Sequence, residues 1–190
     1  MRWLYHYLFP ALWITFMIYW RIASAGTKST RRVEAVWMRA VRVVLFAIAI
    51  FILTIGPLPI AWLYRPLYPY HLIYYWGGAL VAVAGLLFAV WARAHLGGNW
   101  SRSVTLKEDH ELITSGPYRW VRHPIYTGIL TGFVGTMIAL GQVRGVVAFL
   151  LVAIALCLKW RLEEKWMREE FGESYVDYSR RVPAVIPWRL

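Results

Sequence analysis

The chain has 190 residues, is 59% hydrophobic with 12 Trp and 12 Tyr, and carries a formal net charge of +11. A mean hydropathy of +0.48 is too apolar for an ordinary soluble domain and predicts a chain embedded in a bilayer. The charge does not indicate nucleic acid as a partner, because the basic residues lie between long apolar runs, where they set topology and meet anionic lipid, and no nucleic-acid motif accompanies them.

Five apolar runs follow one another along the chain, at 3–20, 43–63, 72–92, 125–140 and 145–160. The first lies between Arg2 and Ala23-Ser24-Ala25 and imitates a signal peptide. It is long for that role, rich in Trp and Tyr, and broken by Arg21 before the small residues, so a retained first span is expected. Gly56-Pro57 and Pro59 should kink or end the second span. The first three are long enough to cross a hydrocarbon core, which takes about 20 helical residues and roughly 17 at the least. The fourth and fifth are shorter and separated only by Gly141-Gln142-Val143-Arg144, which predicts a tight turn and a helical hairpin.

Basic residues predict the orientation. Between the first two runs stand Arg21, Lys28, Arg31, Arg32, Arg39 and Arg42; after the third stand Arg93, Arg102, Lys107, Arg119 and Arg122. Seven more run from Lys159, at the end of the fifth, to Arg189, so 18 of the 21 fall on alternating segments, which the positive-inside rule makes cytoplasmic. The expected fold is all-α: a polytopic integral membrane protein of about five transmembrane helices, with a C-terminal hairpin and an interfacial cytoplasmic tail. Its N-terminus would lie outside and its C-terminus inside. Residues 1–92 read as a three-helix membrane scaffold, and 93–190 hold nearly all polar groups without a topogenic role.

Those groups concentrate at one end of the hairpin. Ser115-Gly116-Pro117 is turn chemistry, and Pro124 suits the first position of a helix while disfavouring helical geometry at His123. The fourth span should therefore begin at Pro124, its free N–H groups and dipole offering a seat for a carboxylate or phosphate. The fifth span returns to the same surface. Helical spacing places Trp160, Glu164, Met167 and Phe171 on one face with Glu163 at its edge, and acidic groups there are costly unless paired or used. Gly172 should cap this helix. The antiparallel hairpin then brings a cationic pole (Arg122, His123, Tyr126) to a carboxylate pole (Glu163, Glu164), an arrangement suited to a zwitterionic small molecule with an aromatic group.

Plainer readings exist for several of these residues. Arg122 alone could be a lipid-phosphate contact. Gly128, Gly132 and Gly135 form a small-residue face expected to pack on Ala148 or Ala155 of the fifth span. Trp and Tyr at span ends make an interfacial belt. No H-x-x-x-H or H-E-x-x-H occurs, so no metal site is expected, and Cys157, the only cysteine, reads as a small buried hydrophobe.

Tyr118-Arg119, the run Arg122-His123-Pro124-Ile125-Tyr126-Thr127-Gly128, then Glu163-Glu164, Phe171-Gly172, Tyr175 and Tyr178 resemble the isoprenylcysteine carboxyl methyltransferase family, whose broader relatives include phospholipid N-methyltransferases. The resemblance covers about residues 93–190. It implies binding of S-adenosylmethionine and methyl transfer to a lipophilic acceptor, most simply carboxyl O-methylation of an isoprenylcysteine-like thioether. Phospholipid N-methylation is the alternative, and a non-catalytic membrane scaffold a third. By position, His123, Pro124, Tyr126 and Gly128 would form the cofactor pocket, Leu112 and Tyr118 its approach, and Glu163 and Glu164 would hold amino or hydroxyl groups. Arg122, Arg161 and Glu164 are the candidate catalytic residues, with Arg119 a further candidate for a cationic clamp on a carboxylate acceptor. The expected partners are the bilayer and a lipid-like acceptor entering from it; the oligomeric state is left open.

Overall fold

A computed structural model of the chain describes residues 2–23, 30–54, 59–97, 105–107 and 112–187. Six α-helices dominate: α1 (Arg2–Ala23), α2 (Val36–Thr54), α3 (Leu72–Leu96), α4 (Pro124–Leu140), α5 (Val143–Phe171) and α6 (Glu173–Arg181). Two short strands, β1 (Thr30–Val33) and β2 (Thr105–Lys107), pair antiparallel with Val33 opposite Thr105. The sequence reading did not anticipate that pair.

Among the described residues, α2, α3 and α5 are each long and apolar enough to cross a membrane, and Tyr7–Ala23 and Pro124–Leu140 are shorter apolar helices. These five correspond to the five apolar runs, and the chain is a polytopic, all-α membrane protein. Large apolar side chains on the outer faces remain uncovered, among them Trp37, Ile48 and Phe51 on α2 and Leu80 and Leu87 on α3. Such surfaces are stable against lipid and not against water.

Three boundaries differ from expectation. The second helix runs over Val36–Thr54 and not 43–63, so it starts a full two turns earlier and takes Arg39 and Arg42 into its first half. It stops at Thr54; Gly56-Pro57, expected to kink or end it, lie outside the described residues. α3 continues four residues past Ala92 to Leu96, which buries Arg93 against the Gly97 carbonyl at 3.0 Å and the Ala23 carbonyl. The hairpin turn is tighter than four residues. α4 ends at Leu140, Gly141 takes φ 62°, and α5 restarts at Val143. That left-handed position is one glycine tolerates at little cost. At this end of the bundle Leu67 N–H donates to the Gly141 carbonyl (2.8 Å) and Val143 N–H to that of Arg65 (3.1 Å), pinning the turn to the segment that precedes α3.

The core of the bundle is the α3–α4 pair, its most extensive helix contact. Gly78, Ala82, Gly85 and Ala89 of α3 are buried against Gly128 and Gly135 of α4. A Cβ at Gly128 would stand 2.5 Å from the Gly85 carbonyl oxygen, and one at Gly85 would stand 2.7 Å from that of Gly128. The backbones touch. The small face of α4 therefore packs on α3, not on Ala148 and Ala155 of α5 as expected. The reason is a matching small-residue row on α3, spaced four, three and four residues apart, which lets two helices approach closely in lipid.

Candidate functional site

α4 begins at Pro124 as its sequence requires, with His123 at the N-cap in a non-helical conformation (φ −122°, ψ 60°). Ahead of it, Gly116–Arg119 makes a single 3-10 turn that starts at Gly116 with φ 58° and buries Pro117 and Tyr118. α5 is 29 residues long, about 44 Å at 1.5 Å per residue, and so outruns a hydrocarbon core of about 30 Å. Its last turns, bearing Glu163 and Glu164, come level with the start of α4. Gly172 (φ 51°) closes α5, as expected, and opens α6, which folds back with Tyr175 and Tyr178 buried.

The two expected poles are not separate. Arg122 donates from Nε to Glu164 Oε1 at 2.9 Å and from Nη2 to the same oxygen at 2.5 Å. Its Nη1 donates to the carbonyls of Ser179 (3.0 Å) and Val182 (2.5 Å). Glu164 also takes Arg168 Nη2 at 3.2 Å on Oε2 and lies 3.3 Å from His123 Nε2. The ring of His123 bridges the two acids, since its Nδ1 lies 3.7 Å from Glu163 Oε2. Arg122 and Glu164 thus form a buried ion pair that ties α4, α5 and α6 together, with both groups largely committed inside the protein.

The residues around the helix start are tied to the tail as well. The N–H of Arg122 donates to the Pro183 carbonyl and that of His123 to the Ala184 carbonyl, both at 2.9 Å, while Thr127 Oγ1 donates to the Val185 carbonyl at 2.6 Å. The chain after α6 thus closes the Arg122 and His123 amides just ahead of α4 with its own carbonyls.

Beside the network lies a cavity of about 670 Å³. One end is polar, with Tyr126 Oη donating to Glu163 at 2.6 Å and Lys159 Nζ 3.8 Å from the same carboxylate and 5.3 Å from the Tyr126 ring centroid. His123 stacks on Tyr126 with centroids 5.4 Å apart and planes at 15°. Much of the remaining wall is apolar, from Trp20 of α1, Phe46 and Ile50 of α2, and Ile129 and Leu156, with Arg21, Arg39 and Arg42 also lining it. Tyr178 Oη donates to the Tyr118 carbonyl at 2.6 Å, and burial pushes its phenol up to about 12, so it keeps its proton and remains a donor. Burial also raises the phenols of Tyr118 and Tyr175, with the charges of Glu163 and Glu164 respectively adding to the effect.

Of the residues singled out in the sequence, Leu112, Tyr118, Arg122, His123, Pro124, Tyr126 and Glu163 line this cavity. Glu164 lies behind the wall in the ion-pair network, and Gly128 is on the opposite face of α4 against α3. Arg161 and Arg119 are exposed and outside the lining; Arg119 covers the Trp120 ring at 5.3 Å. Sequence reasoning missed Lys159 and Arg42. Lys159 stands one helical turn before Glu163, a spacing that signals an i,i+4 pair. Arg42 was hidden by starting α2 one residue too late to include it. Among the described residues no cluster of His, Cys, Asp or Glu could hold a metal ion.

The family profile described as phospholipid methyltransferase matches residues 73–174, more than half of the chain. The chain belongs to the phospholipid methyltransferase family. The matched span begins in α3 and ends just inside α6, so it contains the glycine seam, the α4 start and both glutamates. Protein-S-isoprenylcysteine O-methyltransferase B of Arabidopsis thaliana is 36% identical over 89 residues, 43% of this chain and 42% of that protein. Protein-S-isoprenylcysteine O-methyltransferase of Mus musculus is 35% identical over 121 residues, 58% of this chain and 40% of the other. That of Saccharomyces cerevisiae is 32% identical over 114 residues, 58% and 48%. Among solved structures, the eukaryotic intramembrane Ras methyltransferase, isoprenylcysteine carboxyl methyltransferase, superposes with a TM-score of 0.52 and 26% identity, over 80% of this chain and 51% of that one. The chain therefore spans about half that structure and less than half of these curated relatives.

Proposed function

We propose that this member of the family is an S-adenosylmethionine-dependent membrane methyltransferase that methylates the carboxylate of a lipophilic, isoprenylcysteine-like thioether. The observation that carries the reading is the polar face of His123, Tyr126 and Glu163 opening into a largely apolar cavity, in a chain whose relatives are named as isoprenylcysteine O-methyltransferases.

The donor set suits the cofactor. A carboxylate at Glu163 accepts from ribose hydroxyls or an ammonium, the stacked His123 and Tyr126 and the buried Tyr118, Tyr175 and Tyr178 offer aromatic surface for a base, and the cavity volume is that of an ordinary small-molecule site. When bound, S-adenosylmethionine supplies a methyl group activated on a sulfonium sulfur. The chain's own residues then position and dehydrate. A carboxylate acceptor is ionised at neutral pH and needs no base, so orientation and exclusion of water by the apolar wall supply much of the rate. Arg122 and Glu164 act as positioning residues, since they hold His123 and the α6 tail against the cavity. Arg161, exposed and off the cavity, has no part in this arrangement.

The placement of 18 of 21 basic residues supports a cytoplasmic site, with the N-terminus outside and the C-terminus inside. The scheme is tested by incubating the purified chain in lipid with methyl-labelled S-adenosylmethionine and offering N-acetyl-farnesylcysteine or phosphatidylethanolamine. Base-labile label on the first supports carboxyl methylation. Base-stable label on the second replaces it with N-methylation, and failure to bind the cofactor leaves only the scaffold reading.

A further inference from the structure

The cavity wall carries charges beyond those at the cofactor end, and three of them, Arg21, Arg39 and Arg42, come from the helices that precede the matched family region. Arg42 of α2 is 7% exposed, lines the cavity, and is paired through Nη2 with Glu34, itself buried. Its Nη1 is buried and has no hydrogen-bond partner among the described residues. Across the cavity stands Lys159 of α5, its side chain 15% exposed, and Arg42 is within electrostatic reach of both Lys159 and Tyr126. Arg21 and Arg39 add two more cations to the lining, whereas Glu163 is its only carboxylate among the described residues. A buried guanidinium N–H such as Arg42 Nη1 is costly to leave without an acceptor, and the cationic lining around it favours an anion as that acceptor. Arg122 cannot serve that anion, because its guanidinium is taken by Glu164 and two carbonyls.

The same helix supplies an apolar track. Val43, Phe46, Ala47 and Ile50 follow Arg42 along α2 and also line the cavity. A molecule with its negative head at Arg42 would lay an apolar tail along this face, toward the helix centre.

We propose that Arg42 Nη1 and Lys159 form an anion subsite that seats the negatively charged head of the lipophilic acceptor, a carboxylate or a phosphate, with its tail along Val43, Phe46, Ala47 and Ile50 of α2. The choice of ligand rests on the methyltransferase reading, but the subsite itself is read by binding. It also gives the helices that precede the matched region a direct part in acceptor selection.

The test uses the full chain in maltoside micelles and compares binding of N-acetyl-farnesylcysteine, its methyl ester and dodecyl phosphate. In the parent, at least one anionic probe binds about tenfold more tightly than the uncharged ester, a difference of about 1.4 kcal/mol. Arg42→Gln alone would leave Glu34 buried without its cation, so the double variant Glu34→Gln/Arg42→Gln removes both charges together. In it, and in Lys159→Gln, the preference falls to within about twofold of unity; Arg42→Lys keeps part of it. The probe that loses most identifies the source of the anion as a carboxylate or a phosphate. Equal binding of all three probes by the parent, or an unchanged preference in both variants, overturns the subsite. Labelled S-adenosylmethionine is bound by the double variant as by the parent, and absence of cofactor binding in the parent would instead overturn the function proposed above.

Discussion

The two sides of α4 show how one helix can serve a rigid seam and an open chamber at once. Toward α3 it presents Gly128 and Gly135, and the backbones meet with no room for a Cβ. Toward α2 and α5 it presents His123, Ile125, Tyr126 and Ile129, and the space between is a cavity of about 670 Å³. The first side gains dispersion contacts from close approach, which is what holds helices together in lipid, where burial of apolar surface gives no advantage. The second gives up such contact, and the Arg122–Glu164 network and the tail carbonyls hold its end in place. A cavity can be kept open because the seam behind it does not yield.

The largest expected effect breaks the seam. Gly128→Val puts a branched side chain where even a Cβ would clash with Gly85 and Ala89, and should cost about 3 kcal/mol or more. The readout is loss of a monodisperse peak in detergent chromatography and a lower melting temperature. Gly77→Ala, one residue from the seam on α3 with nothing within 4 Å, should stay within about 0.5 kcal/mol of the parent. Equal behaviour of the two variants would remove the distinction between the seam and the rest of α3. Next comes Glu164→Ala. It strands Arg122 in a buried setting and should cost about 3 kcal/mol of stability, read by thermal unfolding, before any effect on cofactor binding is counted.

Glu163→Gln sharpens the other side. Its carboxylate is a quarter exposed and faces the cavity, so thermal stability should change by less than about 1 kcal/mol, whereas affinity for labelled S-adenosylmethionine should fall by about tenfold or more. The two glutamates are adjacent, and the comparison asks whether one belongs to the frame and the other to the chamber. A Glu163→Gln variant that melts like Glu164→Ala and binds cofactor like the parent would exchange those roles.

Much of the architecture was legible because lipid simplifies the code: apolar runs, Pro124 at a helix start and glycines at 141 and 172 each carry a local physical meaning. The meeting of Arg122 and His123 with Glu163 and Glu164 followed from the hairpin alone. Two things were not legible. The charge at Arg42 looked topogenic because hydropathy places the start of a span where polar residues end, whereas α2 continues back through Arg39 and Arg42 as an amphipathic stretch facing the cavity. And the partner of the α4 glycines could not be told from α4 itself, since Ala148 and Ala155 offered one small surface and the α3 row a better one. The tail carbonyls over the α4 start were also out of reach, because backbone acceptors leave no mark on a sequence.

The smallest expected effect concerns the lid of the chamber. Tyr178 is 4% exposed and donates to the Tyr118 carbonyl, a bond whose loss in Tyr178→Phe should cost about 1 kcal/mol. Burial raises its phenol to about 12, above the ordinary value of about 10 that it regains on unfolding. The folded state therefore favours the protonated form. That contribution is complete below about pH 10 and is lost as pH rises toward about 12, where the folded phenol itself ionises. The melting temperature of the parent should accordingly hold steady up to about pH 10 and then fall. In Tyr178→Phe it should start lower and fall less steeply, because Tyr118 and Tyr175, whose phenols burial also raises, still titrate but one of the three no longer does. Parallel curves for parent and variant above about pH 10 would mean that α6 does not hold the Tyr178 phenol buried against the cavity wall.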